Sequence, residues 1–337
     1  WQRKIYWLLI YKSRLMNRKS NISTFPMAKY LGLWLLIFLL GVSKYVNAQQ
    51  DPQYTMHMYN TQVVNPAYIG SIETVNFGLL TRTQWVDFEG SPQTGSFTIS
   101  SPVGRRNKTA LGLSIVSDVI GPSKEQGLTA DYGYTFFNDY GSKITLGLKA
   151  GISNLQVDYS LLNLANSSDE QFSENTSLLS PQIGAGIYYN NDRFYGGLSV
   201  PNFLKTNTYE VSGTTYASSE AKKRMHYFLI AGYVFDISDS VKLKPAGMLK
   251  LVRGSPIQLD VSANVYFNEK ITFGAAYRLD AAVSAIAGFS LSDRAFVGFA
   301  YDYQTTAIQK FSSGSFEMIL RFTIPRKGER ILTPRFF

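Results

Sequence analysis

The sequence predicts an all-β protein, a transmembrane antiparallel up-and-down β-barrel of about 14 strands. Three observations predict this class: apolar and polar residues alternate with period two, the alternating segments run about nine to twelve residues, and short connections alternate with longer ones. Soluble strands usually run ~5–6 residues, whereas membrane-barrel strands run ~9–11. The alternative is a soluble lipocalin-like barrel or β-sandwich with its apolar face turned inward, and the strand length disfavours it.

The composition suits strands better than helices. The 337 residues include 22 tyrosines, 22 phenylalanines and 27 glycines, residue types that form helices poorly. A mean hydropathy of −0.08 fits a barrel, because lipid-facing and lumen-facing side chains average out. The chain has no cysteine, which excludes disulfides and thiolate metal sites.

The net charge of +9 does not describe the predicted barrel. Eight of the 33 basic residues lie within residues 1–48, whereas all 24 acidic residues follow residue 48. The rest of the chain is therefore almost neutral. Nucleic-acid binding needs basic residues concentrated on the folded part, so we expect no nucleic-acid partner.

Residues 27–48 predict a secretory signal peptide. Lys29 supplies the positive charge, residues 31–42 form the apolar stretch, and Ala48 is the small residue at the cleavage site. The apolar stretch is too short to span ~30 Å of hydrocarbon as a helix, which disfavours a membrane anchor. Residues 1–26 are interpreted as upstream read-through or an extended positive region.

The mature chain begins near Gln49 and has two predicted parts. Residues 49–73 form a periplasmic N-terminal segment or a plug, and residues 74–337 form the barrel. Within residues 142–155, for example, isoleucine, leucine and alanine alternate with threonine, glycine, lysine and serine. The predicted strands lie near residues 74–85, 94–101, 110–118, 126–137, 142–155, 181–189, 194–200, 224–235, 241–252, 257–267, 271–278, 282–291, 295–303 and 314–322.

The connections follow the asymmetry expected of outer-membrane barrels. Turns after even-numbered strands are short and rich in Asn, Asp and Gly, as at residues 138–141 and 268–270. Residues 156–180 and 201–223 are long connections after odd-numbered strands. Short turns are usually periplasmic, so an even strand count predicts that both termini are periplasmic.

Few residues suggest chemistry. His226 could belong to a barrel acyl hydrolase with a Ser–His arrangement, or it could be an unreactive residue at the rim or in the lumen, which the absence of a local motif favours. His57 lies in the polar N-terminal segment. No phosphate-binding loop or metal-ligand spacing is present, so we predict no cofactor and no metal.

Four charged residues fall on the predicted inner face. They are Asp131, Lys149, Asp260 and Asp302. Their side chains could set the selectivity of a pore, or they could form ion pairs across the lumen.

Several short motifs resemble the PorP/SprF family. The resemblance spans the mature chain and is most specific over residues 51–122. It rests on Asp51-Pro52-Gln53-Tyr54, Met58-Tyr59-Asn60, Asn65-Pro66-Ala67-Tyr68, Gly70, Arg82 with Gln84-Trp85, Gly90-Ser91-Pro92, Asp118 with Gly121-Pro122, and Gly314-Ser315-Phe316-Glu317. In the last motif Phe316 stands where the family usually has histidine, which puts in doubt any role for a histidine there.

The resemblance implies an outer-membrane barrel of the type IX secretion and gliding machinery of Bacteroidetes that is not an enzyme. It implies as partners outer-membrane lipid, periplasmic components of that system and a secreted adhesin-type cargo protein. The positions Asn65, Pro66, Ala67, Tyr68, Arg82, Gln84 and Trp85 are candidates for partner contact or for shaping the barrel entrance. Pro66 and Gly70 could instead simply fix the turn into the first strand.

Two functions follow from these expectations. The first is a non-catalytic barrel that binds or anchors secreted surface proteins at the outer membrane. The alternative is an outer-membrane diffusion pore or small-molecule transporter of similar architecture.

Overall fold

The computed structural model describes residues 52–104, 107–138, 141–161, 175–204 and 224–325. All of them belong to one compact unit, Val46–Phe337. Among these residues, no helix has the length and apolar character needed to cross a membrane. The predicted signal peptide and the residues that precede it lie outside the described residues.

Fifteen strands are found among the described residues, nearly all at predicted positions. They are β1 (Val75–Thr83), β2 (Gln93–Val103), β3 (Thr109–Ile120), β4 (Ser123–Phe137), β5 (Lys143–Val157), β6 (Thr176–Asn190), β7 (Phe194–Val200), β8 (His226–Tyr233), β9 (Phe235–Ser238), β10 (Val241–Val252), β11 (Gln258–Phe267), β12 (Ile271–Arg278), β13 (Ala282–Ser292), β14 (Ala295–Gln304) and β15 (Ser315–Ile324).

The strands form a closed antiparallel barrel. Each strand pairs with the next one along the chain, except that β8 pairs with β10 and not with the short β9. β1 pairs with β15 from Val75↔Ile324 to Thr83↔Phe316, which closes the ring. The short β9 and the longer β8 pair with different parts of β10, so they occupy one position in the wall. The described strands thus make a 14-stranded barrel, which confirms the predicted fold class and strand number. Closure leaves no sheet edge along the ring that would need pairing in hydrocarbon.

Side chains alternate between the outside of the barrel and its lumen. In β5, the outward Leu146 and Leu148 are 49% and 62% exposed, whereas the inward Thr145 and Lys149 are 0% and 4% exposed. The same alternation runs through β4, β11 and β13. Apolar side chains therefore cover the outer surface, where they face lipid in a membrane barrel.

The start of β6 differs most from the prediction. The strand begins at Thr176, whereas the sequence predicted a start near residue 181. Ile183 bonds on the side away from β5, accepting from Phe203 N–H at 2.7 Å. The backbone nitrogen of Pro181, two residues earlier, points to that same side of β6. No strand among the described residues pairs with Pro181 there, so the N–H that proline lacks is not needed for a ladder hydrogen bond.

Residues 52–72, hereafter the luminal segment, lie inside the barrel. They form a 3-10 turn (His57–Tyr59), the short helix α1 (Thr61–Val64) and a second 3-10 helix (Pro66–Ser71). One apolar cluster joins the segment's N-terminal part to β1, β13, β14 and β15, and another joins its C-terminal part to β6, β7, β8 and β10. The segment thus contacts opposite walls of the lumen.

Candidate functional site: the luminal segment and its contacts

The luminal segment is almost completely removed from solvent. Met56, Asn65, Ala67 and Ile69 are each 0% exposed. Fully burying an aliphatic side chain contributes roughly 1.5–3 kcal/mol, so several such residues hold the segment firmly in place. The walls provide apolar partners at inward positions, among them Leu80, Phe228, Ile230, Ile286 and Ile319.

The N-terminal part of the segment binds three charged residues, Arg82, Asp302 and Glu317, hereafter the Arg82 cluster. Arg82 lies on β1 directly opposite Glu317 of β15, and Asp302 lies on the adjacent β14. The Arg82 guanidinium contacts Asp302 at 2.6 Å and Glu317 at 3.0 Å, and all three side chains are at most 1% exposed. Each carboxylate therefore has a buried cation as its partner.

Glu317 also binds the backbone of the luminal segment. Its two carboxylate oxygens accept the N–H groups of Thr55 and Met56 at 2.8 and 2.7 Å. The Thr55 hydroxyl donates to Asp302 at 2.8 Å and accepts from Arg82 at 3.0 Å. Charge-assisted hydrogen bonds are roughly twice as strong as neutral ones, so the Arg82 cluster fixes the segment where the barrel closes.

The other charged residues predicted for the inner face also form ion pairs. Asp131 and Lys149 are cross-strand neighbours at 3.1 Å, and Asp260 and Arg278 are cross-strand neighbours at 2.9 Å. With Asp302 in the Arg82 cluster, all four predicted inner-face charges are ion-paired. The interpretation as internal ion pairs is therefore correct.

The segment itself brings no charged side chain into the lumen. Residues 52–72 contain no Asp, Glu, Lys or Arg. The one histidine of the segment, His57, is 5% exposed. The segment without charged Asp, Glu, Lys or Arg side chains thus lies in a lumen where Arg82, Lys149 and Arg278 of the wall form ion pairs with wall carboxylates.

Asn65, Pro66 and Ala67 anchor the middle of the segment. The Asn65 side chain accepts the Ala67 N–H at 2.9 Å, which caps the 3-10 helix that begins at Pro66, and it donates to the carbonyl oxygen of Ile187 at 3.1 Å. Tyr68 packs edge-to-face on Tyr188, with ring centroids 5.6 Å apart. Each predicted residue of this motif therefore contacts the segment or the wall, not an exposed surface.

Three glycines of the wall, Gly147, Gly186 and Gly197, allow this close approach. A Cβ at Gly147 would lie 2.2 Å from the backbone nitrogen of Ala67, and a Cβ at Gly186 would lie 2.2 Å from Asn65 Oδ1. Such distances are far below van der Waals contact. The wall therefore needs glycine where the luminal segment touches it.

Replacing Gly147 tests this fit. Gly147→Ala is expected to destabilise the folded protein by about 1–3 kcal/mol, because the added methyl group overlaps backbone atoms of Ala67. Guanidinium unfolding measures the loss, and thermolysin cleavage within residues 52–72 reports whether the segment has loosened. Gly95→Ala is the matched control, because no atom lies within 4 Å of its added Cβ. Equal stability of the two variants would contradict the fit.

Gln84 and Trp85 lie apart from the luminal segment, in the connection between β1 and β2. The backbone N–H of Gln84 donates to Pro92 O at 2.9 Å, and that of Trp85 donates to Ser315 Oγ at 3.1 Å. Trp85 has φ 54°, in the left-handed region. These two predicted residues therefore shape a loop at the end of the barrel and do not join the Arg82 cluster.

Phe316 faces away from the lumen. It is 51% exposed on the outer surface, and its ring lies 5.1 Å from that of Tyr301. A side chain at this position cannot reach the Arg82 cluster, although its neighbour Glu317 does. The change from the family's usual histidine therefore leaves the contacts of the luminal segment intact.

The histidines occupy buried positions. His226 is the first residue of β8, is 3% exposed and lies edge-on to Phe228 with ring centroids 6.4 Å apart. His57 is 5% exposed within the luminal segment. In the part of the chain that the structure describes, no group of three or more His, Cys, Asp or Glu residues could hold a metal ion.

The family is settled by a sequence comparison. The family described as "Type IX secretion system membrane protein PorP/SprF" matches residues 46–322, a range that includes the luminal segment and nearly the whole barrel. The chain belongs to the PorP/SprF family. The predicted resemblance is thereby confirmed. Among the residues on which the resemblance was based, Asn65, Arg82 and Glu317 form contacts between the luminal segment and the wall.

This PorP/SprF protein has a low similarity to several solved outer-membrane proteins. The Acinetobacter baumannii outer membrane protein Omp33 is 11% identical, with a TM-score of 0.41, over 74% of this chain and 99% of Omp33. The CymD monoaromatic hydrocarbon channel is 13% identical, with a TM-score of 0.48, over 85% of this chain and 96% of CymD. A Pseudomonas aeruginosa FadL homologue is 12% identical, with a TM-score of 0.43, over 81% of this chain and 94% of that homologue. No curated protein matches the chain.

Proposed function

We propose that this protein is a non-enzymatic outer-membrane barrel of the type IX secretion and gliding machinery that binds or anchors a secreted, adhesin-type surface protein. Membership in the PorP/SprF family supports the secretion role. The belt of exposed apolar side chains supports insertion in outer-membrane lipid. Periplasmic secretion components would bind at the short turns, and cargo would bind at the long connections.

The observation that favours this function over a diffusion pore is the filled lumen. The luminal segment spans the barrel, and its central residues Asn65, Ala67 and Ile69 are completely buried against the walls. A diffusion pore needs a continuous water-filled path, and the segment occupies that path. A protein that anchors another protein needs only the surfaces at the two ends of its barrel for binding, so a closed lumen is compatible with anchoring.

Affinity purification from detergent-solubilised outer membranes tests the cargo proposal. Cells are cross-linked before lysis, and the recovered proteins are identified by mass spectrometry. We expect a secreted surface protein and type IX components, and we expect that surface protein to disappear from the cell surface when the gene is deleted. Recovery of the folded barrel with no secreted protein, together with an unchanged surface proteome in the deletion strain, would overturn the proposal.

We also propose that the protein catalyses no reaction. A barrel acyl hydrolase would have to use the buried His226 in its Ser–His arrangement. Purified intact protein and His226→Gln are expected to show the same background ester cleavage. Cleavage by the intact protein that His226→Gln abolishes would instead support a barrel hydrolase.

Export through the signal peptide at residues 27–48 is part of the same proposal. N-terminal sequencing of the protein purified from outer membranes is expected to begin at Gln49. A mature protein that still contains residues 31–42 would contradict this processing.

A further inference from the structure

The two ends of the barrel differ in their connections. The short-turn end carries the turns at residues 138–142, 191–193 and 268–270. The long-loop end carries the connections at residues 158–175 and 201–225, together with those at 279–281 and 305–314. The first residue of β1, Val75, pairs with the last residue of β15, Ile324, at the short-turn end.

The start of the luminal segment lies at the long-loop end. The carbonyl oxygen of Tyr54 accepts from Arg278, the last residue of β12, at 3.3 Å. Gln53 bonds to Gln258, the first residue of β11, at 3.4 Å. Both of these wall residues adjoin connections of the long-loop end.

The segment then descends through the lumen toward the short-turn end. Midway, the Gln62 amide donates to the carbonyl oxygens of Ile99 and Leu113 at 3.2 Å. Directly after the segment, Glu73 forms a 2.7 Å ion pair with Lys143, the first residue of β5, beside the turn at residues 138–142. Residues 52–73 therefore cross the barrel once, from the long-loop end to the short-turn end.

We infer that the chain enters the barrel through its long-loop mouth, so that Pro52, the first described residue, lies on the same side of the membrane as the long loops. With short turns in the periplasm, that side is the cell exterior. The start of the luminal segment is then external, whereas strand number alone predicted a periplasmic N-terminus. A second passage back through the lumen is blocked, because the segment itself fills it.

The long-loop mouth has room where the chain enters. A cavity of about 120 Å³ lies there, lined by Pro52 and Tyr54 of the segment and by Asp118, His226 and Asn202 of the wall and its connections. This path through the barrel constrains the order of assembly. A leader still held in the inner membrane would keep the upstream residues on the opposite side, so the leader must be removed before the segment takes its place.

Single-cysteine labelling tests the inference, because the chain has no cysteine of its own. Intact cells that produce Asp51→Cys are treated with a membrane-impermeant maleimide. Thr306→Cys is the control at the long-loop end, and Asp293→Cys is the control at the short-turn end; both positions are exposed. Each variant must show the heat-modifiable gel mobility of a folded barrel.

We expect Asp51→Cys to be labelled together with Thr306→Cys in intact cells, and Asp293→Cys to be labelled only after lysis. Labelling of Asp51→Cys that follows Asp293→Cys would overturn the inference. The labelling of Asp51→Cys is compared with that of the two control positions and not with an assumed orientation of the barrel. The result therefore does not depend on the proposed role in secretion.

Discussion

Deletion of residues 52–72 is expected to turn a closed barrel into an open pore. The interior of a barrel widens roughly linearly with strand number, and side chains alone can fill it at about eight strands. A 14-stranded wall without its luminal segment therefore leaves a water-filled path. Liposome swelling with small sugars measures the effect: we expect rapid swelling with the deletion variant and none with the intact protein.

The deletion experiment needs evidence that the barrel still forms. Heat-modifiable gel mobility reports barrel closure independently of permeability. Gly147→Val is a second, full-length variant, and its added side chain is expected to loosen the segment through contact with Ala67. Gly95→Ala is the control variant and is expected to leave the segment in place. A correctly closed deletion variant that remains impermeable would show that something other than residues 52–72 blocks the lumen.

Replacing Arg82 is expected to cost more stability than any other single ion-pair substitution considered for this protein. Arg82→Met leaves Asp302 and Glu317 buried without their cation, and removing one partner of a buried ion pair typically costs 3–5 kcal/mol. Arg82→Lys keeps the charge but loses the planar fork that serves both carboxylates, so we expect an intermediate loss. Guanidinium unfolding followed by Trp85 fluorescence provides the measurement, since Trp85 is the one tryptophan after residue 48.

An exposed ion pair supplies the matched control for this experiment. Arg193 contacts Asp236 at 2.9 Å, but the two side chains are 61% and 46% exposed. Exposed pairs contribute about 0–1 kcal/mol, so Arg193→Met is expected to unfold almost as the unchanged protein does. If Arg82→Met lost no more stability than Arg193→Met, the Arg82 cluster would have no special role in holding the segment.

The wall of the barrel could be predicted because its signal is local. Each strand alternates lipid-facing and lumen-facing residues, so 14 segments could be recognised one at a time, and most boundaries agree with the structure to within a few residues. The exception is β6: residues 176–180 were assigned to the long connection 156–180, and their place in the strand depends on pairing with β5.

The sequence left two alternatives for the residues before the first strand, a periplasmic segment or a plug, and those residues themselves gave no local signal to choose between them. The prediction assumed a polar inner face, whereas inward positions such as Phe228, Ile230 and Ile319 are apolar where they contact the segment. Apolar residues on both faces of β8 were the signal that could have indicated a filled lumen. The Arg82–Glu317 contact joins residues 235 positions apart and depends on the register of the closing strands, which no local pattern reveals.

Residues singled out by the family resemblance have contacts within the chain that the sequence did not reveal. Asn65, Ala67 and Arg82 were candidates for partner contact, yet the structure places all three between the luminal segment and the wall. Their contacts within the chain account for the residue types: Asn65 caps a helix, and Arg82 neutralises two carboxylates. Asn65, Ala67 and Arg82 are at most 1% exposed, so none of them forms part of the surface of the described structure.

The ion conductance of the unmodified protein in planar lipid bilayers tests the closed lumen most directly. Insertion is verified separately by protection of the barrel from added protease. With residues 52–72 across the lumen, the inserted protein is expected to give no stable single-channel steps at moderate voltage. Large, long-lived conductance steps from the unmodified, fully folded protein would contradict the closed lumen and favour a diffusion pore.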